Sequence, residues 1–245
     1  MTQRLFVSIA ATALALAGCS STDADPDQLT SAQVEESLLV ADSLGEGFEE
    51  KADDEDEIDI ESPMGCLTAL DDFDADVDAT DASVRFAFRP GAGPGLPEVT
   101  NGTLSFATTE KASAFMDRFT DSVASCRTVD ERAENGVEVR LDVALDKEVT
   151  VADADEQADL RADGTFSFGD RALRFSVAMS VVRSENNVVA VLTTDLAELA
   201  VVSPLTEEYT RLAVARLLAV ADGDEAPDDA ASVSPEPHTG PAAPA

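Results

Sequence analysis

The stretch Ala172–Thr194, ALRFSVAMSVVRSENNVVAVLTT, decides the fold class. Leu173, Phe175, Val177, Met179 and Val181 fall at every second position, opposed by Ala172, Arg174, Ser176, Ala178 and Ser180. A period of two puts the first set on one face of a strand, with a partly wet face behind it. Val188–Thr194 is a second strand, and Arg183-Ser184-Glu185-Asn186-Asn187 joins the two. Asparagines there tolerate the positive φ of a tight turn, so the pair is expected to form antiparallel neighbours.

Working outward, Val137–Leu145 and Thr165–Phe168 are further strands upstream. Val84, Phe86 and Phe88 alternate with Ser83, Arg85 and Ala87, which predicts a strand with one buried face. Pro90–Pro97 (PGAGPGLP) breaks it, and Val99–Phe106 follows as the next strand. Within it Asn101-Gly102-Thr103 matches a glycosylation sequon, but Asn-Gly is a turn signal and is taken as a turn. Ala112, Phe115, Phe119 and Val123 form one apolar helical stripe ending at Cys126. Thr30 and Gln33 have capping-box spacing ahead of Val34, Leu38 and Ala41, predicting a first helix to about Leu44, where Gly45 and Gly47 stop it. Ser203-Pro204 reads as N-cap and first helical residue of a closing helix to Val220, with Glu207 and Glu208 near its positive end. Two to three helices on an antiparallel sheet of five to six strands make a single α+β domain over 30–220.

The N-terminus has the zones of a signal peptide: Arg4, an apolar run Leu5–Ala15, then Leu16-Ala17-Gly18-Cys19. The run is shorter than the roughly 20 residues a bilayer span needs. Leu16-Ala17-Gly18-Cys19 resembles the lipobox of bacterial lipoproteins. That resemblance implies removal of residues 1–18, lipid (palmitate) on Cys19 and a location on the extracytoplasmic face of the cell membrane. Residues 19–29 are then the lipidated cysteine and a polar, Asp-rich tether, and 221–245 an acidic Ala/Pro tail expected to be disordered.

Fifty acidic residues against sixteen basic give a formal charge of −34, which argues strongly against nucleic acid as a partner. Glu49–Glu61 (EEKADDEDEIDIE) is expected to be a solvated loop. With Cys19 committed to lipid, Cys66 and Cys126 are an even pair in an exported domain and are expected to form a disulfide.

Paired carboxylates are too numerous to mark an acid/base site, so an enzyme using carboxylates alone stays open as a third class, while histidine- and cysteine-based constellations are not available. The single histidine, His238, lies in the tail, so no Ser-His-Asp or Cys-His arrangement can form inside the domain, and no cofactor or metal site is indicated. Asp74, Asp76 and Asp78 match the start of a calcium loop, but Ala79 and Arg85 replace its glycine and bidentate glutamate. Gly91, Gly93 and Gly95 lie among prolines with no following lysine, so they are no phosphate loop.

Ser37-Leu38-Leu39, Gly45-Glu46-Gly47-Phe48, Cys66, Phe106–Ala112 leading to Cys126, Phe168–Ala172 and Asn187–Val191 together resemble, in layout, the PknH-like extracellular sensor domain of actinobacterial lipoproteins and receptor kinases. The resemblance covers about residues 30 to 220 and implies a mixed α/β sensor-like module outside the membrane, without a kinase domain in this chain.

The expected function is therefore a non-enzymatic lipoprotein, anchored through Cys19, that binds or senses an envelope ligand or a partner protein. The alternative is a structural acidic envelope lipoprotein with weak divalent-cation binding and no specific ligand. A concave pocket lined by Phe86, Phe88, Phe175 or Met179 would favour binding, and a packed sheet without a cavity the structural alternative. Those four are expected to be core, and no ligand residue is nominated.

Overall fold

The computed structural model describes residues 28–51, 66–67, 78–89, 95–132, 136–169 and 171–235. The signal segment 1–18, Cys19, most of the tether, Asp74, Asp76, most of the acidic run after Glu49 and His238 lie outside them.

The elements are α1 (Ser31–Ser37), α2 (Ala41–Leu44), β1 (Phe48–Glu50), β2 (Ala79–Phe88), β3 (Glu98–Phe106), α3 (Thr109–Ala124), β4 (Thr128–Arg132), β5 (Val137–Asp146), β6 (Glu156–Phe168), β7 (Arg171–Ser184), β8 (Asn187–Asp195) and α4 (Leu199–Ala221). The strands form one eight-stranded sheet in the order β1-β2-β3-β8-β7-β6-β5-β4, antiparallel throughout. The fold is thus α+β, but with eight strands where five to six were expected. The two additional strands are the edges. β1 has three residues and β4 buries Val129 alone, so neither carries an alternation of its own.

β6 also starts at Glu156, well before Thr165. Its first half alternates polar residues with the small or single apolar side chains of Ala158, Leu160 and Ala162, a weak signal, and it pairs along its whole length with β7, from Glu156 opposite Arg183 to Phe168 opposite Arg171. The β7–β8 turn is a two-residue loop in which Glu185, and neither asparagine, takes the positive φ of 54°. Asp155 Oδ2 accepts the Glu185 N–H at 2.7 Å, and Arg183 Nη1 donates to the Glu185 carbonyl at 2.8 Å, offsetting that strain.

Both faces of the sheet are used. One packs against α1 and α4, where Phe86, Val99 and Tyr209 are fully buried and Phe48 meets Tyr209 edge-on at 6.0 Å. Each such side chain contributes about 2 kcal/mol by leaving water. The other packs against α3, whose Phe115, Met116 and Phe119 bury against Phe106, Val181 and Val188. Further along that face Val123, Cys126, Val129 and Leu141 form a third cluster.

The capping box at Thr30 and Gln33 is present, but the first helix does not run unbroken to Leu44. It stops at Ser37 and resumes for one turn as α2, because tertiary partners take the backbone groups between. Arg216, 6% exposed, donates to the carbonyls of Leu38 at 2.7 Å and Glu36 at 3.1 Å. Asn101 Oδ1 accepts the Leu39 N–H at 2.8 Å. Asn101-Gly102 is accordingly not a turn. It lies in mid-strand in β3, with Asn101 fully buried and also donating to the Ala190 carbonyl.

Pro204 is the sixth residue of α4 and not its first. The helix begins at Leu199 because burying Val202 and Leu205 against the sheet outweighs the one backbone bond the proline removes.

From 222 to 235 the chain forms neither helix nor strand, yet it lies against the domain. Arg216 Nη1 donates to the Pro227 carbonyl, the Ala231 N–H to the Ser43 carbonyl, and Pro235 is buried. Glu208 accepts both the N–H and the Oγ hydrogen of Ser232, at 3.0 and 2.9 Å. Hydrogen bonds from Arg211 first, and then from the Ser232 backbone, pull its pKa down to about 2. A depressed carboxylate stabilises the fold above its unfolded pKa, and that contribution disappears as pH falls from about 4.5 to about 2. Glu208→Gln is therefore expected to be less stable than the parent chain at pH 6, with the difference closing across that window in urea titrations. A difference that stays constant down to pH 2 would exclude the charged contact.

Candidate functional site

β2 sends Val84, Phe86 and Phe88 to the α4 side, so by alternation Asp81, Ser83 and Arg85 point to the α3 side. The register aligns them with β3: Asp81 is opposite Leu104, Ser83 opposite Gly102 and Arg85 opposite Thr100. Ala190 and Leu192 of β8 continue these rows, followed by Val181 and Met179 of β7. Among the described residues α3 crosses the sheet without covering this area, and Phe115 and Phe119 form a wall beside it. The result is a groove of about 370 Å³ with a mixed polar and apolar lining.

Gly102 is central to its shape. Its backbone has room for a side chain, since a Cβ there would come no closer than 3.9 Å to any neighbour, yet the residue leaves the middle of the floor bare. At the groove's end near Arg85, Glu98 joins Lys51 at 2.8 Å and the Arg85 Nε at 3.5 Å, tying β1 and β2 to β3. At the other end Lys111, in the first turn of α3, pairs with Asp78 and holds its carboxyl below the usual carboxylate range.

A second cleft, about 450 Å³, lies beside the start of α3 and the β7–β8 turn, lined by Thr108, Glu110, Asp155, Glu185 and Asn186. Of its carboxylates Asp155 is engaged within the fold, binding Arg183 and the Glu185 N–H. No group of three or more His, Cys, Asp or Glu side chains is arranged to hold a metal among the described residues.

Of the four aromatic and sulfur side chains weighed for a pocket, Met179 lines the groove. Phe175 lies further along the same face, half-buried, and Phe86 and Phe88 belong to the core on the other side. Phe115 and Phe119, legible as a helical stripe, are at once core and groove wall. Asp81, Arg85 and Gly102 carried no signal of a site in the sequence. The alternation of β2 gave their face, but their company on β3 and β8 is a matter of register.

Cys66 and Cys126 are joined in a disulfide, with Cα atoms 5.7 Å apart. It ties the end of α3 to the segment that precedes β2.

The chain superposes on the crystal structure of the extracellular domain of PknH from Mycobacterium tuberculosis, with a TM-score of 0.53 over 80% of this chain and 96% of that one. The fold is PknH-like. The two sequences are 14% identical, so the likeness extends to the PknH-like fold alone. No protein-family model matches the sequence, and no curated protein matches it. No helix among the described residues is long and apolar enough to cross a membrane.

Proposed function

We propose that this chain is an extracytoplasmic lipoprotein, anchored to the cell membrane through lipid on Cys19, whose domain binds or senses an envelope component or partner protein without catalysis. The observation that carries this is the groove beside α3, a sheet face in a PknH-like fold that the helices among the described residues leave uncovered. The PknH structure is named as an extracellular domain. The Cys66–Cys126 disulfide fits an oxidising compartment, and the lipobox-like Leu16-Ala17-Gly18-Cys19 supplies the anchor.

Binding to the folded state raises stability by about 2.7 kcal/mol at a hundredfold excess of ligand over Kd. A thermal-shift screen of envelope lipids, glycan fragments, peptides and divalent cations should therefore give a dose-dependent rise in Tm with one class. Gly102→Leu, which fills the floor in available space, should abolish the rise and leave the unliganded Tm within a few degrees of the parent. A flat screen, or a rise that Gly102→Leu does not touch, would assign the domain to the structural alternative or to another surface.

A further inference from the structure

The groove carries a charge arrangement that narrows its ligand, and the inference rests on the groove being the binding site, as proposed above. Asp81 and Arg85 stand four residues apart on the same face of β2, which sets their Cα atoms about 13 Å apart at the rise of an antiparallel strand. Both line the groove. The exposed Asp81 carboxylate has no partner among the described residues. Arg85 meets Glu98 through Nε at 3.5 Å, its side chain is 36% exposed, and its two Nη groups make no hydrogen bond among the described residues.

Between these opposite charges the floor is a mixture. Ser83 and Thr100 present hydroxyls without partners among the described residues, and Gly102 opens the middle. Leu104 and Leu192, both half-buried, supply apolar surface beyond them.

The geometry points to a short zwitterionic peptide of three to four residues with apolar side chains as the ligand class, its terminal carboxylate on Arg85 and its terminal ammonium on Asp81. An extended chain of that length spans about 13 Å between its charged ends. Ser83 and Thr100 are placed to hydrogen-bond its peptide groups, and the apolar floor takes its side chains. The protein's charge of −34 selects the same way: it repels an anionic amphiphile at long range and is neutral or attractive toward a ligand with a free amine.

The test uses the full chain, ¹⁵N-labelled, and a pool of tetrapeptides built from Ala, Leu, Phe and Ser, offered with free ends, N-acetylated, and C-amidated. Free-ended peptides are expected to shift the amide resonances of β2, β3 and β8 at the groove. Blocking either end should weaken binding about fivefold, the scale of a partly exposed ion pair. Asp81→Asn should lose its preference for the free amine and Arg85→Gln its preference for the free carboxylate, each retaining the other. Equal binding of free and blocked pools overturns the inference. So does silence from the peptides when a lipid or glycan shifts the same resonances in a manner sensitive to Gly102→Leu, an outcome that leaves the groove itself standing. If no probe of any class shifts them, the groove falls too.

Discussion

Replacing Cys66 and Cys126 together with serine is expected to lower the stability of the domain by about 4 kcal/mol. The bond closes a loop with a sequence separation of 60, and cross-linking residues that far apart removes about that much chain entropy from the unfolded state. The environment adds to the cost, because Cys126 is 2% exposed among Val123, Val129 and Leu67, where a serine hydroxyl would have to be buried. The loop contains β2, β3 and α3, hence Asp81, Arg85, Phe115 and Phe119 of the groove. Reduction should accordingly loosen the groove's walls along with the fold. Urea unfolding with and without reductant measures the first effect, and peptide titration under both conditions the second. Equal midpoints in the two urea curves would mean that the native bond restrains nothing.

Gly164→Ala is expected to cost about 3 kcal/mol or more, at or above the upper end of ordinary overpacking. Gly164 pairs with Leu141 across β5 and β6. A Cβ at that position would lie 1.9 Å from the Arg140 carbonyl oxygen and 2.8 Å from its carbon. Those are backbone atoms held in a ladder that continues on both sides, so relief requires the strands to part. Gly102→Ala is the control: its Cβ would meet nothing closer than 3.9 Å, and it is expected to be neutral or stabilising by about 0.5 kcal/mol, because alanine loses less backbone freedom on folding. Thermal or urea unfolding of the two variants side by side decides the matter, and similar midpoints would refute the close approach at β5–β6.

The central elements were legible because their signal is local. Leu173 to Val181 alternate, Val84 to Phe88 alternate, and Ala112 to Val123 keep a helical stripe, so the sequence places β7, β2 and α3 before any contact is known. The pairing of Cys66 with Cys126 followed from arithmetic and compartment. Elements defined by their partners were not legible. β1 is too short to alternate, and the first half of β6 alternates only two alanines and one leucine (Ala158, Leu160, Ala162) with polar residues, a weak apolar signal that becomes a strand because β7 lies beside it with hydrogen bonds to share. Asn101-Gly102 has the composition of a turn and is held in mid-strand by pairing with β2 and β8 and by the Leu39 N–H, between α1 and α2, which donates to Asn101 Oδ1. Pro204 marks a helix start by local preference, and the apolar contacts of Val202 and Leu205 carry the helix past it.

The candidate site divides along the same line. The alternation of β2 by itself determines that Asp81 and Arg85 share a face opposite Phe86. Their meeting with Gly102, Leu192 and Phe115 depends on strand order, register and the path of α3. Hydrophobic periodicity acts over neighbouring residues and can be read along the chain, whereas a groove exists where one helix stops covering a sheet assembled from distant segments.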